Sequence, residues 1–188
     1  MTVYIEEKIN DFDLQAALAE ISEQRREQAL QFKFEHGQRT CVLAYLLLKR
    51  ALREQYGIDE NPLFEYGEHG KPSIVGHPEI HFNVSHCREA VACAVSDHPV
   101  GIDVESIQRF NESLVRFTMN DQEVAQTLSA AQPGIVFTRF WTMKEAAMKL
   151  LGTGISNDMK TVLCRQDLRF ETVGSVEIRY IYTSCCFV

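Results

Sequence analysis

The chain has 188 residues, 45% of them hydrophobic, which is enough to bury one continuous core or two small halves sharing an interface and too few for several linked domains. Its 19 basic and 26 acidic side chains leave a formal charge of −7, which opposes any function built on neutralising nucleic-acid phosphates. No apolar run approaches the roughly 18 residues of a bilayer span, and Met1-Thr2-Val3-Tyr4-Ile5-Glu6-Glu7 lacks a basic stretch followed by an apolar one, so the expectation is a soluble, cytoplasmic protein.

Residues 2–6 alternate weakly and predict a first strand. From Asp13 to Lys33, Leu14, Leu18, Ile21 and Leu30 recur at roughly helical spacing. A clearer helix runs from Gln38 to Tyr56 on the stripe Leu43, Leu46, Leu47, Ala51 and Leu52, with Gly57 placed to end it. Glycine and proline punctuate Gly67 to Pro78, which reads as loop. In Ile80-His81-Phe82-Asn83-Val84-Ser85, strict alternation puts Ile80, Phe82 and Val84 on one face and His81, Asn83 and Ser85 on the other. A turn near His86 to Glu89 leads to a hairpin partner at Ala90 to Val95, and Val100 to Val104 is a further strand. Helices are expected at 111–117, 121–130 and 134–151, the last ended by Gly152 and Gly154, and the tail is strand-like, especially Val176 to Tyr182. Strand, helices and strands thus precede residue 98 and follow it again, which predicts a two-half α+β protein with antiparallel pairing, split at 1–98 and 99–188.

Six cysteines, Cys41, Cys87, Cys93, Cys164, Cys185 and Cys186, show no Cys-x-x-Cys spacing, and most sit in apolar runs such as Ala92-Cys93-Ala94-Val95. They read as small buried hydrophobes in a reducing compartment.

Two fragments carry the chemistry. In Val100-Gly101-Ile102-Asp103-Val104-Glu105 the strand period aims Asp103 and Glu105 at one face, and a solvated outer face is the plain alternative. In Phe140-Trp141-Thr142-Met143-Lys144-Glu145-Ala146-Ala147-Met148-Lys149, Trp141, Glu145 and Met148 share a helix face, and Glu145 lies four residues before Lys149, where an exposed ion pair would add only about 0.2–0.5 kcal/mol. Brought to one cleft, Asp103, Glu105 and Glu145 would repel by about 4 kcal/mol per pair at about 4 Å and an effective dielectric near 20, unless a cation lay between them. A hard divalent ion with oxygen ligands is the simplest remedy, and Mg²⁺ usually shares its shell with substrate phosphates. Lys71 in Gly70-Lys71-Pro72, and Ser85 and His86 at a strand end, are polar groups that could reach those phosphates, although each alone is as easily a solvated or turn residue. Ser85 and His86 make no hydrolase argument, because no Gly-x-Ser-x-Gly elbow surrounds the serine.

The blocks Gly70-Lys71-Pro72, Phe82-Asn83-Val84-Ser85-His86, Val100 to Glu105, and Trp141 to Lys149 followed by Gly152-Thr153-Gly154, with a weaker match at Gln38-Arg39-Thr40, resemble the Sfp-type 4′-phosphopantetheinyl transferase family. The resemblance implies a pseudo-twofold α+β fold of two similar halves with antiparallel sheets, a monomer, and coenzyme A bound in the cleft between the halves. It implies transfer of the 4′-phosphopantetheine of coenzyme A to a serine of an apo-acyl or peptidyl carrier protein, with release of 3′,5′-ADP. By position, Asp103, Glu105 and Glu145 would hold Mg²⁺, Lys71, Ser85 and His86 would contact the phosphates, and Arg39 would approach the adenosine 3′-phosphate. Glu123 matches a further acidic position near the metal. The expected reaction has Glu145 deprotonate the carrier serine, directly or through a water on the metal, while Lys149 protonates or neutralises the departing 3′,5′-ADP.

Where relatives of this type often carry lysines before the Arg39 block, this chain has Gln24 and Glu27, leaving Arg25 or Arg26 to serve the 3′-phosphate. Docking an acidic carrier on an acidic chain would need a local patch, for which Arg109, Arg116 and Phe117 are candidates. Two other classes remain: a metal-dependent nuclease, opposed by the net charge, and a protein that binds coenzyme A or a carrier without reacting, which has no use for three clustered carboxylates.

Overall fold

The computed structural model of the chain describes residues 1–67, 70–107, 111–153, 157–172 and 181–187. Two modules share one plan, a strand, three helices, then two more strands, with a two-stranded ribbon inserted after the helices of the first. The first has β1 (Thr2–Glu6), α1 (Leu14–Glu20), α2 (Glu23–Leu30), α3 (Glu35–Tyr56), a two-stranded ribbon of β2 (Phe64–Tyr66) and β3 (Pro72–Ile74), then β4 (His81–His86) and β5 (Val91–Ser96). The second has β6 (Val100–Ser106), α4 (Glu112–Thr118), α5 (Asp121–Ser129), α6 (Pro133–Leu151), β7 (Arg169–Thr172) and β8 (Ile181–Phe187). Each module forms an antiparallel three-stranded sheet whose last strand lies in the middle, β1-β5-β4 and β6-β8-β7. The shared strand order makes the expected pseudo-twofold α+β architecture visible where the letters alone repeat poorly.

The alternation of β5 shows how the layers stack. Val91, Cys93 and Val95 point toward α3 and join the core that holds Leu43, Leu47, Leu48, Ala51 and Leu52. Ala90, Ala92 and Ala94 point the other way, onto Val100, Ile102 and Val104 of β6 and Cys185 of β8. Across the second sheet, Cys186 faces Ala146, Ala147 and Leu150 of α6. The order of layers is therefore α3, first sheet, second sheet, α6. Full burial of a Val, Leu or Ile in such a core contributes about 1.5–3 kcal/mol, so the large residues on the α3 side anchor the first module and the alanines on the other side let the sheets approach.

The carboxylate face of β6 is consequently not solvated: α6 covers it. The cover is tight at Gly101, where a Cβ would run into the Ala146 carbonyl oxygen and stand 2.6 Å from the Leu150 nitrogen. Since both neighbours are helix backbone, Gly101→Ala is expected to cost about 1–3 kcal/mol or more by lifting α6 off β6. A lower denaturant midpoint with unchanged slope would register this, and a midpoint equal to wild type would show that α6 yields without penalty.

Helices α4, α5 and α6 lie within a residue of their expected bounds. The stretch from Asp13 to Lys33 is two helices, because Ser22 leaves the helical region and accepts from the Arg25 N–H as an N-cap, ending one periodic pattern and starting another. Within the expected loop of 67–78, Pro72–Ile74 is instead a strand, paired with Phe64–Tyr66. Gly152, at φ +70°, ends α6. The predicted stops and strand at Gly154 and Val176 to Tyr180 lie outside the described residues. All six cysteines are free; Cys41, Cys93, Cys185 and Cys186 are buried as expected, Cys87 is half-buried, and Cys164 is exposed. Among the described residues no helix is long and apolar enough to cross a membrane.

Candidate active site

Asp103 is buried between β6 and α6, 3% exposed, and its Oδ1 receives two donors: Lys149 Nζ of α6 at 2.7 Å and Ser85 Oγ of β4 at 2.8 Å. Lys149 Nζ also donates to Ser85 Oγ at 2.8 Å and to the Ile102 carbonyl at 3.3 Å. Three elements from both modules thus meet at one carboxylate. The ion pair expected along the helix, Glu145 with Lys149, gives way to one across the cleft, Lys149 with Asp103.

Glu145 lies one turn before Lys149 and lines the cleft with Lys71, Pro72, Asn83, Val84, Met148 and Gly152. Burial first, and then the negative charge of Asp103, hold its pKa above the usual carboxylate range, against the pull of Lys149. Two buried oxygens here, Asp103 Oδ2 and Glu145 Oε1, have no hydrogen-bond partner. An unsatisfied buried carboxylate oxygen is costly, so each calls for a positive occupant. The chemistry of the pair fits Mg²⁺, which takes hard oxygens and commonly only one or two protein carboxylates besides water and substrate phosphate. Glu105 lies on the same face of β6 as Asp103 and is half-buried. Among the described residues, however, no three His, Cys, Asp or Glu side chains stand close enough together to form a ready metal cage.

Lys71 reaches across the cleft and donates to the Leu150 carbonyl at 2.9 Å, at the C-terminal end of α6, where a cation complements the helix dipole. Burial holds its pKa below the ordinary lysine value. His86 closes β4 with its side chain exposed, and loss of part of its hydration followed by the charge of Lys149 pushes its pKa down. Lys149 and Arg25 near His86 bring positive charge to this end of the cleft, partly offset by Asp103. Of the two arginines considered for that end, Arg25 lines an aromatic pocket with Tyr45, Phe64, Pro72 and Phe82, while Arg26 is bound to the Leu18 carbonyl at 2.9 Å.

Two expected residues are engaged elsewhere. Arg39 is held by Glu35 at 2.7 Å and by the Phe12 carbonyl at 2.9 Å, and lines a separate depression with Asp13, Lys33 and Gln38. Glu123 completes a capping box with Asn120 at the start of α5 and pairs through Oε2 with Lys144 Nζ at 2.8 Å. Lys144 is fully buried and also donates to the Met159 carbonyl. Sequence reading passed over Lys144 and Asn83; the position of Asn83 on the same strand face as Ser85 was its signal, and nothing local marks Lys144. Of the candidate docking residues, Phe117 is 77% exposed, Arg116 is paired with Glu112 at 2.6 Å, and Arg109 lies outside the described residues.

Comparison with known proteins gives the family of the chain. A profile described as 4′-phosphopantetheinyl transferase, N-terminal, matches residues 9–98, and that of the 4′-phosphopantetheinyl transferase superfamily matches residues 99–186. The 4′-phosphopantetheinyl transferase gsp of Aneurinibacillus migulanus is 34% identical over 160 residues, covering 77% of this chain and 67% of its own length. The psf-1 transferase of Bacillus pumilus is 34% identical over 148 residues, of which the chain spans 64% of the relative's length. The Sfp transferase of Bacillus subtilis strain 168 is 27% identical over 186 residues, 97% of this chain and 82% of that one. With one profile up to residue 98, another from residue 99, and a relative at 34% identity covered over 67% of its length, the chain belongs to the 4′-phosphopantetheinyl transferase superfamily, and transfer of phosphopantetheine from coenzyme A to a carrier-protein serine is the activity that membership brings.

Proposed function

We propose that the cleft between the modules is where this chain moves the 4′-phosphopantetheine of coenzyme A onto a serine of an apo-acyl or peptidyl carrier protein, releasing 3′,5′-ADP. The observation that supports it most is the pair of buried, unpartnered oxygens on Asp103 and Glu145 beside a cleft lined by Lys71 and Lys149. Asp103 and Glu145, with Glu105 next on the same strand face, are the residues that would hold Mg²⁺. Bound there, Mg²⁺ supplies charge neutralisation for the diphosphate of coenzyme A and for the phosphoryl oxygens during transfer.

The chain's own groups account for the rest. Glu145 takes the proton of the carrier serine, a task its place in the cleft lining one turn before Lys149 allows. Lys149, fixed by Ser85, Asp103 and the Ile102 carbonyl, presents its ammonium to the departing 3′,5′-ADP. Ser85 is therefore an orienting group for Lys149 and Asp103 as well as a neighbour of the phosphates. Lys71 and His86 bind phosphate, and Arg25 and Arg39 are the candidates for the adenosine 3′-phosphate, each needing to release its present partners, the Cys41 carbonyl and Gln28 for Arg25, Glu35 and the Phe12 carbonyl for Arg39. Exposed Phe117 offers an apolar contact for the carrier that needs no net positive charge. The same reading makes the chain a cytoplasmic monomer.

Mass spectrometry of apo-carriers incubated with the chain, coenzyme A and Mg²⁺ tests this. The expected result is a gain of one phosphopantetheinyl group on serine that EDTA abolishes. No gain on any acyl or peptidyl carrier would sink the reading, and an undiminished gain in EDTA would sink its metal.

A further inference from the structure

We infer that Asn83 is a positioning residue for this site, acting through the backbone of Ile102 on Asp103. The inference rests on the function proposed above and adds to it a residue of the cleft lining whose effect runs through the backbone of β6.

Among the described residues β6 lies at the edge of the second sheet, paired with β8. The other side of such a strand exposes backbone N–H and C=O groups, which must find partners once buried. At Ile102, itself fully buried, side chains meet this need. Asn83 Oδ1 accepts from the Ile102 N–H at 2.9 Å, and Lys149 Nζ donates to the Ile102 carbonyl at 3.3 Å. Two side chains thus stand where a neighbouring strand would otherwise lie, one from each module.

The spacing along β4 makes the arrangement a two-point clamp. Asn83 and Ser85 share the face of β4 that looks toward the second sheet, opposite Ala94 and Ala92 in register. Asn83 grips residue 102 and Ser85 grips residue 103 through Asp103 Oδ1 at 2.8 Å. One contact would let β6 pivot about it. Two contacts on successive residues fix both the height and the twist of β6 above β4, and with them the direction of the unpartnered Asp103 Oδ2. Asn83 is at the edge of burial, 9% exposed, and its loss takes from the buried Ile102 N–H the acceptor that β4 supplies.

Asn83→Leu keeps the approximate size and removes the acceptor; Asn83→Asp keeps an acceptor oxygen. Amide hydrogen exchange at Ile102, melting with and without Mg²⁺ and coenzyme A, and steady-state kinetics read the outcome. Asn83→Leu is expected to raise the half-saturating Mg²⁺ about 10- to 100-fold, the usual range for losing a group that orients a ligand. It should also lower kcat, abolish the rise in melting temperature on adding Mg²⁺ and coenzyme A, speed exchange at Ile102, and leave the carrier KM within about twofold. Asn83→Asp should keep Ile102 protected and the Mg²⁺ requirement no weaker than wild type. The inference is overturned if Asn83→Leu matches wild type in Mg²⁺ dependence, or if both variants are equally impaired. Should Asn83→Leu fail to fold, Asn83→Asp and the unsubstituted chain decide: an Ile102 amide that exchanges as fast as an exposed edge overturns the inference. Absence of transfer by the unsubstituted chain overturns the functional reading and this inference together, whereas an active wild type with an indifferent Asn83→Leu overturns the inference alone.

Discussion

Replacing Glu145 by glutamine is expected to lower kcat for carrier modification by about 100- to 10,000-fold, the range for removing a positioned general base. The change is close to isosteric, so the covering of β6 by α6 is kept. It takes away the proton acceptor and one of two orphaned carboxylate oxygens in the same stroke. Stability should not fall, because burial and Asp103 both disfavour the charged form of Glu145 in the free protein. Kinetics and a thermal melt on one preparation therefore separate the chemical loss from any structural one. Transfer that drops by less than about tenfold would remove Glu145 from the role of base.

Glu123→Ala is expected to act in the opposite manner, with a loss of about 3–5 kcal/mol in folding free energy, the range for stranding one partner of a buried ion pair. Lys144 is 0% exposed, and Glu123 is its carboxylate partner at 2.8 Å. The cap on the Asn120 N–H, at 2.9 Å, goes with it. Burial already depresses the Lys144 pKa, and Glu123 works against that depression. In the variant the lysine sheds its proton more readily folded than unfolded, so the unfolded chain binds more protons and stability rises with pH up to the ordinary lysine range near 10.4. Denaturant melts across that window, with the double variant Glu123→Ala, Lys144→Met, test the account: the double variant should recover most of the loss. A Glu123→Ala chain that melts like wild type yet fails to transfer would return Glu123 to the chemistry.

The contrast between these two glutamates shows what one-dimensional pattern can and cannot convey. Period-two alternation sent Asp103 and Glu105 to a common face and Phe82 and Val84 to the other side of their strand, and the structure has them so. Helical spacing placed α4 to α6 closely. The split of Asp13 to Lys33 was missed because Leu14, Leu18 and Ile21 keep helical spacing right up to the point where Ser22 caps a new helix. The β2–β3 ribbon was missed because its glycine- and proline-rich flank resembles a simple loop. Glu123 and Lys149 were singled out, but their partners, Lys144 and Asp103, come from other elements and were unreadable before the layers were assembled. Arg39 illustrates the same limit: a residue type suited to phosphate is drawn into a bond with Glu35, one turn away on its own helix.

The alanine face of β5 bears on this site more than its bland chemistry suggests. Ala92 and Ala94 are the shim between the two sheets, and the thickness of that shim sets the gap that Ser85 has to span to touch Asp103. A methyl group is the smallest spacer that still excludes water, so the gauge of the cleft is machined in a strand that never meets a substrate. Bulk added there would prise apart hydroxyl and carboxylate without altering either.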